Sequence, residues 1–103
     1  MVVLILTGGY GLDGSCGLVT RDIMWRLEQK GVECRVFRND STILPIIGEP
    51  DCWNSEAVKQ LKDLASSSSA IILVSPEYHG TMSSTMKLQL DWLSKDELSL
   101  IHI

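Results

Sequence analysis

Two stretches of this chain are apolar without interruption, Val2–Leu6 and Ala70–Val74. Both are short, rich in branched side chains and bounded by polar residues. Such runs predict strands of a parallel sheet, buried on both faces. A third stretch, Val32–Phe37, alternates Val32, Cys34 and Val36 with Glu33 and Arg35, which predicts a less buried strand. Helical spacing fills the gaps. Cys16, Val19, Ile23 and Leu27 fall on one face, with Ser15 as the expected cap and Gly31 as a left-handed terminus. Val58, Leu61, Leu64 and Ala65 form the stripe of a second helix, capped by Asn54 or Ser55 and with Glu56 in its first turn. A third helix is expected over about 83–95, capped by Ser83 or Ser84. It carries two stripes, Met86, Leu90 and Leu93, and Leu88 with Trp92. The second stripe calls for a partner, either a further part of the domain or another subunit. Residues 39–53, with Pro45, Gly48 and Pro50, read as a long irregular loop, and Trp53 as a packing residue. The order β-α-β-α-β-α predicts a doubly wound α/β domain with right-handed crossovers.

Composition narrows the classes. The 103 residues suffice for one small domain, and 45% hydrophobic with 21% charged residues argues against disorder. A net charge of −4 without a basic patch argues against nucleic acid as a partner. No apolar run approaches the ~20 residues of a membrane span. Met1–Leu6 lacks the basic flank and cleavage site of a signal peptide. Cys16, Cys34 and Cys52 are odd in number and widely spaced, so neither a metal site nor a disulfide framework is expected. Reduced thiols and a cytoplasmic location are the expectation.

The candidate chemistry lies where two strands end. Thr7–Ser15 follows the first strand, and five glycines fall between Gly8 and Gly17. Each would cost about 1 kcal/mol in a helix interior, so they form a loop. A Gly-rich loop that opens a helix presents free N–H groups and the positive end of the helix dipole, which favours a phosphate. The pattern Thr7-Gly8-x-x-Gly11-x-x-Gly14 also matches extended short-chain dehydrogenases, and Gly9-x-Gly11-x-x-Gly14 is a dinucleotide fingerprint. Arg38 and Asn39 stand after the second strand, where an acidic residue would suit NAD and an arginine NADP. The Tyr-x-x-x-Lys pair of such dehydrogenases is absent, since Met82 stands four places after Tyr78; this weakens the dinucleotide reading without removing it.

The second strand end carries Pro76-Glu77-Tyr78-His79-Gly80, followed by Lys87 and Leu90-Asp91-Trp92-Leu93. This resembles the flavin loop of the NADPH-dependent FMN reductase family, which has Pro-Glu-Tyr-Asn-Gly and then Leu-Lys-Asn and Asp-Trp. Leu44-Pro45-Ile46 is similar to the Leu-Pro segment after the family's second strand. The chain differs in His79, and in lacking the arginine of the family's Gly-Ser-x-Arg-x-x-Ser loop, where only Ser15 remains as a phosphate hydroxyl. The resemblance implies a flavodoxin-like, three-layer αβα fold with strand order 2-1-3-4-5, of which strands four and five are missing. Residues 1–97 are then the N-terminal part of one FMN-binding domain. Residues 98–103, Leu-Ser-Leu-Ile-His-Ile, read as a non-native tail, because the hexapeptide matches a translated sequencing-adapter end.

The same resemblance implies the site. FMN would be held by Gly8, Gly9, Gly14, Ser15 and Cys16 at the first loop, and by Pro76, Glu77, Tyr78, His79 and Gly80 at the second. No catalytic side chain and no metal ligand is expected; Glu77 and His79 shape the loop. The implied reaction passes a hydride from NAD(P)H to bound FMN, and on to a small acceptor such as a quinone, an azo compound or a metal oxyanion. A homodimer or homotetramer is expected for the full-length protein. Two other readings stay open, an NADP-binding short-chain dehydrogenase domain and a flavodoxin-like electron carrier that does not turn over NAD(P)H.

Overall fold

The computed structural model describes residues 1–93. Three parallel strands form its sheet: β1 (Val2–Thr7), β2 (Glu33–Val36) and β3 (Ala70–Val74), in the order β2-β1-β3. Val2 to Ile5 pair with Glu33 to Val36, and Val3 to Thr7 pair with Ala70 to Val74. The apolar first run is thus the central strand, and only its first residue is not fully buried. This is the β2-β1-β3 portion of the expected flavodoxin-like order. Among the described residues β3 pairs on one side only, and Leu73 is 39% exposed.

Helices α1 (Gly14–Gln29), α2 (Glu56–Ser66) and α3 (Ser84–Trp92) complete three layers. Leu4, Leu6 and Ile71 face the α2 and α3 side, where Phe37, Leu61, Ala65, Met86 and Trp92 close the main core. Helix α1 covers the opposite face, over Val3 and Ile5. It ends as the glycine signal implies: Gly31 has φ +79°, its N–H donates to the Glu28 carbonyl, and the Val32 N–H donates to the Leu27 carbonyl. That paired closure satisfies two carbonyls of the last turn, and only a residue tolerant of positive φ can make it. Helix α2 matches its stripe, with Val58, Leu61 and Ala65 buried and Ser55 Oγ accepting from the Val58 N–H.

Several sequence expectations need correction. Ser15 does not cap α1; Asp13 holds the N-cap position without a side-chain bond, and Ser15 is the helix's second residue. The inward face of α1 is Gly17 and Thr20, whereas Val19 is 48% exposed. Two small residues let the helix sit close to the sheet, and the Cys16–Ile23–Leu27 stripe is left half-buried beside β3. The inward face of α3 also differs. Met86, Gln89, Trp92 and Leu93 are buried, and Leu88 and Leu90 are half-buried. Trp92 therefore needs no outside partner. Its Nε1 donates to the Pro45 carbonyl at 2.7 Å, and Trp53 packs edge-on at 5.3 Å. Trp53, expected as a packing residue, makes that edge-on contact while 75% exposed. The end of the third helix expected near residue 95 and the tail 98–103 lie outside the described residues.

The loop after β3 has more structure than its sequence suggests. Strands β4 (Glu77–Tyr78) and β5 (Thr81–Met82) pair antiparallel around His79-Gly80. Both turn residues have positive φ, +53° and +80°, as a two-residue hairpin turn of this hand requires. A compact 3₁₀ turn, Cys52–Asn54, ends the 39–53 loop. Among the described residues no helix is long and apolar enough to cross a membrane.

Candidate functional site

The two candidate loops meet at the carboxyl ends of β1 and β3. Adjacent parallel strands bring them there, and the Gly8 N–H donates to the Val74 carbonyl at 2.7 Å. Gly8 is where they touch. A Cβ at Gly8 would stand 2.6 Å from Ser83 Oγ, 2.8 Å from Ser75 Oγ and 3.1 Å from Pro76 Cδ. Only a residue without a side chain lets the loops approach this closely. In open α/β sheets, ligands bind at such a junction, where strand order reverses about β1.

Serines lock the contact. Ser83 Oγ donates to the Gly8 carbonyl at 2.8 Å and accepts from the Met86 N–H at 3.1 Å, so one hydroxyl caps α3 and fastens it to the first loop. Ser75 Oγ accepts from the Ser83 N–H at 3.0 Å. Replacing Ser83 by alanine removes a cap and leaves the buried Gly8 carbonyl unpaired. The expected loss is about 2 kcal/mol of unfolding free energy. Denaturant titration checks it, and a loss under about 0.5 kcal/mol would contradict the double role.

From the other side, Asn39 grips the Gly-rich loop. Its Oδ1 accepts from the Gly11 N–H at 2.7 Å, and its Nδ2 donates to the carbonyls of Thr7 at 3.1 Å and Gly9 at 2.9 Å. Gln89 reaches the same strand end from α3, its Nε2 donating to the Thr7 carbonyl at 2.8 Å and to the Thr85 carbonyl at 3.0 Å. Sequence reasoning did not find Asn39 or Gln89 as part of this site. The available signal was position alone, a polar side chain beyond the carboxyl end of β2 and another on α3 between the apolar Met86 and Trp92.

The candidate residues fall into three groups. Gly8 and Gly9 belong to the clasped loop, and a Cβ on Gly9 would lie 3.3 Å from Cys16 Cβ. Gly14, Ser15 and Cys16 form the first turn of α1, whose leading N–H groups have no partner within the helix. Ser15, Cys16 and Pro76 line one groove of about 490 Å³ with Ile72, Val74 and Ser75. Glu77, Tyr78, His79 and Gly80 stand exposed on the β4–β5 hairpin beyond Pro76. A second cleft of about 350 Å³, between Trp53, Trp92 and α2, lies away from both loops.

Charge is sparse here. Asp13 is the one formal charge between Thr7 and Gly17. Arg38, after β2, donates to Asp40 through Nε at 3.1 Å and Nη2 at 2.8 Å. That hydrogen bond holds the Asp40 carboxyl below its usual range and raises Arg38, which also feels Asp13. Burial, with Glu28 adding, pushes the Cys34 thiol up, so that thiol is no ready nucleophile. Lys87 and Asp91 pair on the exposed face of α3. Among the described residues no group of three or more His, Cys, Asp or Glu is placed to hold a metal.

The arrangement suits an anionic group at the strand ends. A helix opens without a side-chain cap, the carbonyls of the preceding loop are tied back by side chains, and a glycine hairpin stands across the junction. Comparison with known proteins agrees. The family model for NADPH-dependent FMN reductase matches residues 1–100. An NADPH-dependent FMN reductase ArsH from Rhizobium meliloti (strain 1021) is 34% identical over 93 residues, covering 88% of this chain and 36% of that protein. The Shigella flexneri protein of the same description is 32% identical over 91 residues, 88% of this chain and 35% of that protein. An NADPH azoreductase from Bacillus sp. (strain OY1-2) is 44% identical over 50 residues, 48% of this chain and 28% of that protein. The chain spans about a third of the length of these relatives. With the fold, the loop junction and a match across nearly all its residues in agreement, the chain belongs to the NADPH-dependent FMN reductase family.

Proposed function

We propose that residues 1–97 are the N-terminal part of a longer flavodoxin-like domain, that 98–103 are not native to it, and that the complete protein is an NAD(P)H-dependent FMN reductase. One observation carries this reading: the Gly-rich loop and the Pro76–Gly80 loop converge at Gly8, with Ser75, Pro76 and Ser83 packed on it. One loop then takes the phosphate and the other the ring. FMN supplies the hydride chemistry when bound. The protein's part is to hold it. The N–H groups of Gly14, Ser15 and Cys16 receive the phosphate at the positive end of α1. The backbone of Pro76 to Gly80 takes the polar edge of the ring.

The acceptor proposed is a small molecule: a quinone, an azo compound or a metal oxyanion. Likeness to a protein described as an azoreductase favours the azo compound. A homodimer or homotetramer belongs to the same reading, because Ile43, Ile46 and Trp53 stand exposed and offer apolar surface to a second copy. So does a cytoplasmic location, which suits three free thiols.

The test uses the full-length protein and two flavins. Ser15→Asp puts a carboxylate in the first turn of α1, against the phosphate. FMN affinity should fall at least about tenfold, or 1.4 kcal/mol, while riboflavin affinity barely changes. NADPH oxidation at 340 nm, dependent on FMN and on an azo dye, checks the reaction. Equal losses for both flavins would place the phosphate elsewhere. FMN binding without NADPH oxidation would leave an electron carrier.

A further inference from the structure

The Thr7 carbonyl ends the central strand, and two side-chain amides converge on it from elements far apart in sequence. Asn39 Nδ2 reaches it from the end of β2 at 3.1 Å and Gln89 Nε2 from the middle of α3 at 2.8 Å. The next two carbonyls are also held by side chains, Gly8 by Ser83 Oγ and Gly9 by Asn39. Three successive carbonyls of the loop are therefore each held in one orientation by a side-chain donor. A flexible loop with many glycines has no intrinsic reason to keep that orientation. Carbonyl oxygens that turned toward an anion at α1 would repel it.

We propose that Asn39 and Gln89 are positioning residues that clamp the phosphate loop through the Thr7 carbonyl and so make the site selective for the phosphorylated flavin. This rests on the FMN reading above. Neither side chain need touch the flavin. Gln89 is 1% exposed, and its Oε1 finds no partner among the described residues, so the amide works only as a double donor. A buried amide is a costly way to fill a helix face unless its donors are used. Asn39 adds the reverse bond, accepting from Gly11, so the loop is gripped at Thr7, Gly9 and Gly11 together.

The experiment measures FMN and riboflavin affinity for full-length wild type, Gln89→Met and Asn39→Asp, with thermal melts of each. Gln89→Met keeps volume, loses both donated bonds and sacrifices no accepted one, so it should fold. Asn39→Asp keeps the bond from Gly11 but turns a carboxylate oxygen toward two carbonyls and adds a charge that itself repels a phosphate, so Gln89→Met, which adds none, is the deciding variant. For each variant we expect FMN affinity to fall about tenfold and riboflavin affinity less than about threefold, the gap reporting the phosphate alone. A merely structural role would lower both flavins by one factor, and that outcome overturns the clamp, as does unchanged FMN affinity in Gln89→Met. Should Asn39→Asp fail to fold, Gln89→Met decides alone. A wild type that binds neither flavin overturns the functional reading itself, a result distinct from variants that match a flavin-binding wild type.

Discussion

Gly17→Ala is expected to lower the melting temperature by about 10 °C or more. By helix propensity alone the change should stabilise, by about 1 kcal/mol. Packing decides otherwise. A Cβ at Gly17 would overlap the backbone carbonyl of Leu12, in the loop that precedes α1. The obstacle is main chain and cannot rotate aside. Relief requires either α1 to lift from the sheet or the 8–13 loop to move, and both sacrifice the junction at Gly8. Overpacking against rigid surroundings costs about 3 kcal/mol, which leaves roughly 2 kcal/mol of net loss. For a domain of this size 1 kcal/mol corresponds to about 4–8 °C. Circular dichroism melts give the measurement. A melting temperature at or above wild type would show that the loop yields freely, and would remove the argument that it is held.

Trp92→Ala carries the second large effect. Trp92 is buried, donates from its indole to the Pro45 carbonyl and supports Trp53 edge-on. Truncating a buried tryptophan costs about 3–5 kcal/mol, a large share of the 5–15 kcal/mol that such domains possess. The damage should be local as well as global, because Trp92 is what fastens the 39–53 loop to α3. Trp92→Phe separates the contributions. It keeps an aromatic ring but leaves the Pro45 carbonyl unpaired, for about 1–2 kcal/mol. Chemical denaturation orders the three proteins, and limited proteolysis should cut Trp92→Ala first within residues 39–53. First cleavage in α1 instead would show that the tryptophan does not anchor this loop.

The elements that were legible in the sequence are those with a strong apolar signal. Val2–Leu6 and Ala70–Val74 were readable as buried strands because a parallel strand covered on both faces has no polar alternation to confuse the reading. Gly31 and Ser83 were readable because a left-handed terminus and a hydroxyl cap each admit few residues. The inward face of α1 was not readable. It consists of Gly17 and Thr20, whose smallness is the reason they face inward, and smallness leaves no mark in a hydrophobic stripe. Gln89 was missed for the converse reason: a polar residue in a helix is taken to face water unless a buried carbonyl is known to await it. The hairpin at His79-Gly80 was hidden in a loop motif, since two-residue strands are too short for any period to register. Asn39 was noted only for a nucleotide's sake, and its real partners lie 28 to 32 residues away.

The placement of β1 at the centre of the sheet has a consequence for how the chain is made. Val3 pairs with Cys34 on one side and with Ala70 on the other. A ribosome adds about 5–20 residues per second, so β1 waits roughly 3–13 s for its second neighbour after it is synthesised. Through that interval Val2–Leu6, the most apolar run near the start, has at best one edge paired and one face roofed by α1. The segment that ends as the best protected part of the molecule is therefore, while the chain is growing, the one most open to wrong company.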